Sequence, residues 1–266
     1  MTAQAIAPEI VPWNSTRESL RAGWVLGVRE LRTSIRTPAY LVPNLVVPIF
    51  FFFMMVGALE EFAVGFGIDN WKAFQLPVAI MFAAQGGSAG LNMVADIESG
   101  YLDKLLVTPA SRISILLGAM AADLMRVTAQ ATIVLLVGAA VGVHFETGIA
   151  GALVLIVLSG LFGLSYSGFG FAMALKTGNA QSTQTVQFLF LPLLFLSTLF
   201  APREALAGWL STAATFNPLT YLLAGMRSLS MSGWDASDLG GAFLAVAILG
   251  TASISLALLA FRGRVR

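Results

Sequence analysis

Residues 98–112 read E-S-G-Y-L-D-K-L-L-V-T-P-A-S-R and separate two long apolar stretches. Tyr101, Leu102, Leu105 and Leu106 fall at i, i+1, i+4 and i+5, one stripe of a short helix, while Asp103 and Lys104 fall off it. Thr108-Pro109 stops that helix, because the proline ring pushes the preceding residue out of the helical region. A charged amphipathic island of this kind gains nothing inside lipid, so it belongs where water or a water-borne partner can touch it. Two roles fit. One is a docking helix for a cytosolic partner, with Glu98 and Arg112 as polar contacts at its rim. The other is an interfacial helix lying among lipid headgroups.

Working outward, the composition decides the class. Of 266 residues, 57% are hydrophobic and 11% charged, and the mean hydropathy is +0.83. Soluble domains carry roughly 25% charged residues. The expected fold is therefore an all-α integral membrane protein, read as one transmembrane domain over residues 1–266. Residues 1–38 form a cytosolic arm with an amphipathic helix, and residues 39–266 form the span bundle. The net charge of +1 argues against nucleic acid as a partner. Without cysteine there is no disulfide framework, thiolate nucleophile or cysteine metal site. No basic region runs directly into an apolar core at the N-terminus, so no cleaved signal peptide is expected and the first span acts as its own insertion signal.

A span needs about 20 apolar residues to cross roughly 30 Å of hydrocarbon. Six stretches qualify, at about 39–58, 75–95, 118–143, 149–175, 183–201 and 239–261. Ahead of them, residues 15–36 carry Arg17, Arg21, Arg29, Arg32 and Arg36 around an apolar face of Leu20, Trp24, Leu31 and Ile35, the pattern of an interfacial helix on an anionic leaflet. Arg262, Arg264 and Arg266 follow the last span. Lysine and arginine mark the cytoplasmic side, so both ends belong there and the number of spans is even. Lys104, Arg112 and Lys176 in the alternate loops agree, while Glu60, Glu61, Asp69 and Glu146 gather on the opposite side.

Residues 202–233 are too polar for a span and too apolar for an ordinary loop. Two short helices broken at Asn217-Pro218 fit best, dipping part-way into the outer leaflet between the fifth and sixth spans, with Trp209 and Tyr221 at headgroup level. Irregular backbone at that depth must be buried in protein or face a water-filled cavity. The segment, with Arg227 near its end, is thus expected to gate the outer end of a pathway. An interfacial cap without a transport role is the other possibility.

The remaining chemistry is sparse. There is no G-x-x-x-x-G-K-S/T phosphate loop and no H-E-x-x-H, and His144 is the sole histidine, so neither a catalytic nor a metal site is expected in the chain. Gly86/Gly90 and Gly138/Gly142 have spacings that permit close helix approach. Gln85, Ser88 and Asn92 make a polar stripe on the second span, and Gln181, Gln184 and Gln187 open the fifth. Such stripes either hold helices together or line a path. If they line one, Gln85, Asn92 and Gln187 face it, with Phe188 and Phe195 available for apolar cargo. Pro192 marks an expected bend in the fifth span. Asp123 and Arg126, three residues apart, can pair on one helix face, and the length of the apolar run places them near the inner headgroups. Mid-span positions are otherwise almost uncharged, which disfavours an ion-coupled carrier. A membrane scaffold without transport is a further alternative.

These residues resemble the permeases of type-2 ABC exporters. The 98–112 island is similar to their coupling loop, E-x-G-T-L-x-x-L-L-V-T-P-x-S-R, with Tyr101 where threonine is more usual. The run F-L-P-L-L-F-L-S-T-L-F-A-P-R-E-A-L at 190–206, then W-L and N-P-L-T-Y-L-L-A-G-M-R-S at 217–228, is similar to the family's signature around its fifth span and outer re-entrant helices. The daunorubicin-resistance and nodulation-factor subgroup is the nearest likeness. The resemblance implies several things. The permease would pair with a second copy or a sister subunit in the cytoplasmic membrane. A separate ATPase chain would bind ATP and magnesium and dock on the coupling helix. The cargo would be a lipophilic drug, glycolipid or polysaccharide moving outward.

Overall fold

The computed structural model describes residues 28, 32, 38–65, 67–85, 89–107 and 112–264. Apart from residues 28 and 32, the amphipathic helix expected over 15–36 lies outside them. The apolar runs fold into helices, punctuated where glycine or a polar residue can end them. In chain order these are α1 (Pro38–Gly65), α2 (Trp71–Gln85), α3 (Ala89–Glu98), α4 (Tyr101–Leu106), α5 (Arg112–Ala140), α6 (Gly148–Thr177), α7 (Ala180–Phe195), α8 (Gly208–Phe216), α9 (Pro218–Arg227) and α10 (Ala236–Arg264). A 3-10 turn at Arg203–Ala205 precedes α8, and a π-helical turn at Ser228–Ser232 continues α9.

Among the described residues, five stretches are long and apolar enough to cross a bilayer: Val42–Glu61, Trp71–Glu98, Ile115–Ala140, Gly148–Thr177 and Ala236–Gly263. The second runs across residues 86–88, outside the described set. The fifth expected crossing, at 183–201, differs. There α7 has 16 residues, about 24 Å at the helical rise, and closes at Phe195. Gly178, in the left-handed conformation at φ 61°, ends α6, and the Asn179 side chain caps α7 by accepting from the Ser182 amide. At the far end the α7 carbonyls are taken by groups outside the helix. Asn217 Nδ2 donates to Leu193 O, and Ser197 Oγ donates to Leu194 O. Pro192 lies one turn before this stop rather than at a mid-span bend.

Two cores form. The larger gathers Trp71, Phe74, Leu76, Leu158, Phe162, Phe190, Leu222 and Met226 from α2, α6, α7 and α9. The smaller gathers Met93, Leu102, Leu116, Phe171, Leu175 and Phe261 at the expected cytosolic end. Helix approach is closest at Gly90 and Gly170, where a side chain on Gly90 would meet the Gly170 backbone at 2.8 Å and Thr183 Cγ2 at 2.5 Å. The expected packing role of Gly142 does not hold. It has φ 91° and nothing within 4 Å, so it forms the turn after α5.

Candidate functional site

The helix at the expected cytosolic end, α4, follows a turn. Gly100 adopts φ 66° and lets α4 leave α3 at a sharp angle. Leu102 is 1% exposed within the smaller core, and Leu105 packs partly buried against the same cluster. Burying a leucine side chain is worth about 1.5–3 kcal/mol, enough to seat a six-residue helix that could not persist alone. Leu102 and Leu105 thus face the bundle, and Leu102 is enclosed within it. What remains outward is Glu98, Asp103 and Lys104, all exposed, with Val107 84% exposed at the tip. Tyr101 is half-buried. The side chains of Leu106 and Arg112 lie outside the described residues.

The bundle interior holds a second polar group. Gln85 Nε2 donates to Gln187 O at 3.1 Å, joining α2 to α7. Beside them a cavity of about 20 Å³ is lined by Gln85, Asp123, Ser167, Thr183 and Gln187. Asp123 and Arg126 form the expected ion pair. Both are buried inside the bundle, because α5 begins at Arg112 and carries Asp123 about 16 Å and Arg126 about 21 Å along its axis. Gln130, one turn further along the same face, is also buried. Asn92 is half-buried. Phe188 and Phe195, at 68% and 48% exposure, point out of the bundle from α7. Gln85 and Gln187 meet inside the chain, while the two phenylalanines face away.

At the expected outer end, α8 and α9 break at Asn217-Pro218, as the sequence predicts. Asn217 serves both neighbours. Its Nδ2 holds the end of α7, and its Oδ1 accepts from the Leu219 amide to cap α9 at 2.9 Å. Arg227 ties down the other end of α9. Nε donates to Phe74 O (3.1 Å), Nη1 to Thr198 O (2.7 Å) and Thr198 Oγ1 (3.2 Å), and Nη2 to Leu199 O (3.3 Å). The guanidinium carbon lies 3.4 Å from the Phe74 ring centroid. Among the described residues no carboxylate pairs with it, so carbonyl dipoles and an aromatic face stabilise the buried cation. It borders a polar vestibule of about 440 Å³ that Asp69, Asn70 and Glu146 also line.

The two short helices behave differently. In α9, Leu219, Leu222, Leu223 and Met226 belong to the larger core, whereas α8 buries only Ala214 and exposes Trp209 (71%) and Phe216 (83%). Pro218 is half-buried at the break, and Tyr221, 39% exposed, donates its hydroxyl to Thr215 O. The partners of Arg227 escape sequence reasoning. Their only signal is Ser197-Thr198, a polar pair ending an otherwise apolar run.

A protein-family model described as ABC-2 type transporter matches residues 21–231. The chain is 30% identical over 209 residues to the transport permease ycf38 of Cyanophora paradoxa, covering 75% of this chain and 71% of that one. It is 24% identical over 195 residues to the doxorubicin resistance ABC transporter permease protein DrrC of Mycobacterium tuberculosis, covering 73% and 71%. With the daunorubicin resistance ABC transporter permease protein DrrB1 of Streptomyces coeruleorubidus the identity is 25% over 200 residues, covering 72% and 69%.

Proposed function

The chain belongs to the ABC-2 type transporter family, and we propose that it is the membrane-spanning permease subunit of an ATP-driven exporter. It is a multi-pass membrane protein whose energy comes from a separate ATPase chain that binds ATP and magnesium. The observation that carries this reading is α4. A six-residue helix is seated by Leu102 at one end of the bundle, presenting Glu98, Asp103, Lys104 and Val107 outward. Such a helix can pass a push from a docked partner into α3 and α5, between which it lies in the chain.

The short α7, completed by the broken α8–α9 segment, supplies the remaining crossing, the fifth in chain order, so that six spans leave both termini cytosolic. Asn217 and Arg227 hold the re-entrant segment as an outer gate, with Trp209 and Tyr221 at its exposed edge. A second permease copy covers the outward face of α7, where Phe188 and Phe195 meet cargo. The relatives named for doxorubicin and daunorubicin resistance favour a lipophilic drug moving outward, and glycolipid or polysaccharide-type cargo is the alternative. Ion coupling is not favoured, since the buried carboxylate Asp123 is neutralised in place by Arg126.

Co-expression with its ATPase subunit tests the reading. Val107→Asp, a substitution that touches no core contact, is expected to lower copurification and cargo-stimulated ATP hydrolysis, since losing an apolar anchor costs about 1–2 kcal/mol or more of association. An ATPase that copurifies and responds to cargo equally well with this variant would contradict docking at α4.

A further inference from the structure

A groove of about 550 Å³ opens on the flank of the bundle, behind Tyr166 and Val186, which also border the polar interior cavity. Its walls are Phe169 and Met173 of α6, Leu189 and Leu193 of α7, and Leu256 and Leu259 of α10. The one hydroxyl in the lining, on Tyr166, already donates to Val186 O. The wall is therefore apolar along its length, and only its foot is charged. Lys176 lines that foot. Helices α6 and α10 run in the same direction, fixed by Ser165 Oγ donating to Val246 O and by Gly168 lying against Ser253. Lys176 is thus level with the last turns of α10, where Arg262 stands. Both side chains are exposed, and neither pairs with a carboxylate among the described residues.

We infer that this groove holds one acyl chain of an anionic phospholipid, whose phosphate is bound by Lys176 and Arg262. Three observations select that occupant. The lining runs from Leu249 to Ala260 along α10, about 16 Å at the helical rise, half of the roughly 30 Å hydrocarbon layer and so the depth of a single leaflet. The wall has no free polar group to orient a drug-like molecule, which usually needs a few placed donors or acceptors. Lys176 lines the foot of the groove and Arg262 is level with it, at the end where a lipid carries its phosphate. Arginine and lysine near the inner surface attract anionic headgroups. Only the assignment to the inner leaflet rests on the proposed topology.

Native mass spectrometry of the purified chain in detergent tests the site, with dioleoylphosphatidylglycerol or dioleoylphosphatidylcholine added at equal concentration. One phosphatidylglycerol per chain is expected to survive dilution that strips phosphatidylcholine. Lys176→Gln and Arg262→Gln should each weaken its retention about fivefold, whereas Lys72→Gln, a charge removed elsewhere, should not. Leu259→Trp, at a position 62% exposed where the bundle tolerates bulk, should abolish retention with both cations still present. Equal retention of the two lipids, indifference to both charge variants, or full retention in Leu259→Trp would each overturn the site. If retention is lost only as the chain dimerises, a second copy occupies the groove and the inference is wrong. Detergent binding does not depend on ATPase docking, so a failure here leaves the permease reading untouched.

Discussion

Replacing Arg227 with glutamine removes the bonds that pin α9 to the ends of α2 and α7. Of the three carbonyls it serves, Phe74 O lies inside α2 and belongs to a helix ladder, and Leu199 O also accepts from Gln75 Nε2 at 3.5 Å, so the loss falls chiefly on Thr198 O, in the turn after α7. A buried acceptor left without its donor costs about 1–3 kcal/mol. The stack on Phe74 adds about 0.5–2 kcal/mol. Removing a buried cation returns part of this, because its desolvation is relieved. The net expectation is about 3 kcal/mol. For a chain of this size that corresponds to a melting shift of roughly 6–12 °C, read by scanning fluorimetry in detergent. The loosening should be local, so limited trypsin digestion should cut faster after Arg203, which is exposed in the segment Arg227 restrains. Arg203→Gln is the control for melting, since Arg203 makes only an exposed bond to Thr215 Oγ1. If Arg227→Gln melts within about 2 °C of the control and the rate of cleavage after Arg203 is unchanged from the parent, the clamp argument is refuted.

Three further outcomes are expected. Leu102→Ala should lower thermal stability by about 2–5 kcal/mol through the cavity it leaves, while Val107→Asp leaves stability alone and reduces ATPase coupling; the reverse pattern would show that the α4 stripe docks rather than seats. Gly90→Val should depress folded yield, because overpacking costs about 1–3 kcal/mol or more where the Gly170 backbone stands at 2.8 Å, whereas Gly57→Val, with nothing within 4 Å, should be silent; equal yields would contradict the close α3–α6 approach. Single cysteines at positions 4 and 264 should resist a membrane-impermeant reagent in intact cells while one at 206 reacts, and labelling of either terminus would overturn the proposed topology.

Several features were legible in the chain order because they depend on neighbours a few residues apart. Apolar runs of span length marked five crossing helices, the period of Tyr101, Leu102 and Leu105 marked α4, and Asn217-Pro218 marked the break between α8 and α9. Periodicity fixes which residues share a face, but in a membrane protein it does not say what that face meets, because lipid, a partner and the chain's own core all accept apolar side chains. The tertiary structure decided that Leu102 turns inward, that Gln85 meets Gln187 while Phe188 and Phe195 point away, and that Asp123 and Arg126 are enclosed. It also decided where α7 stops, since the donor that takes Leu193 O comes from Asn217, 24 residues later. A lone arginine in an apolar segment carries no local sign of its partners. Arg227 finds its acceptors on α2 and after α7 only once the bundle has closed, because burying a cation demands that dipoles from distant parts of the chain be brought to it.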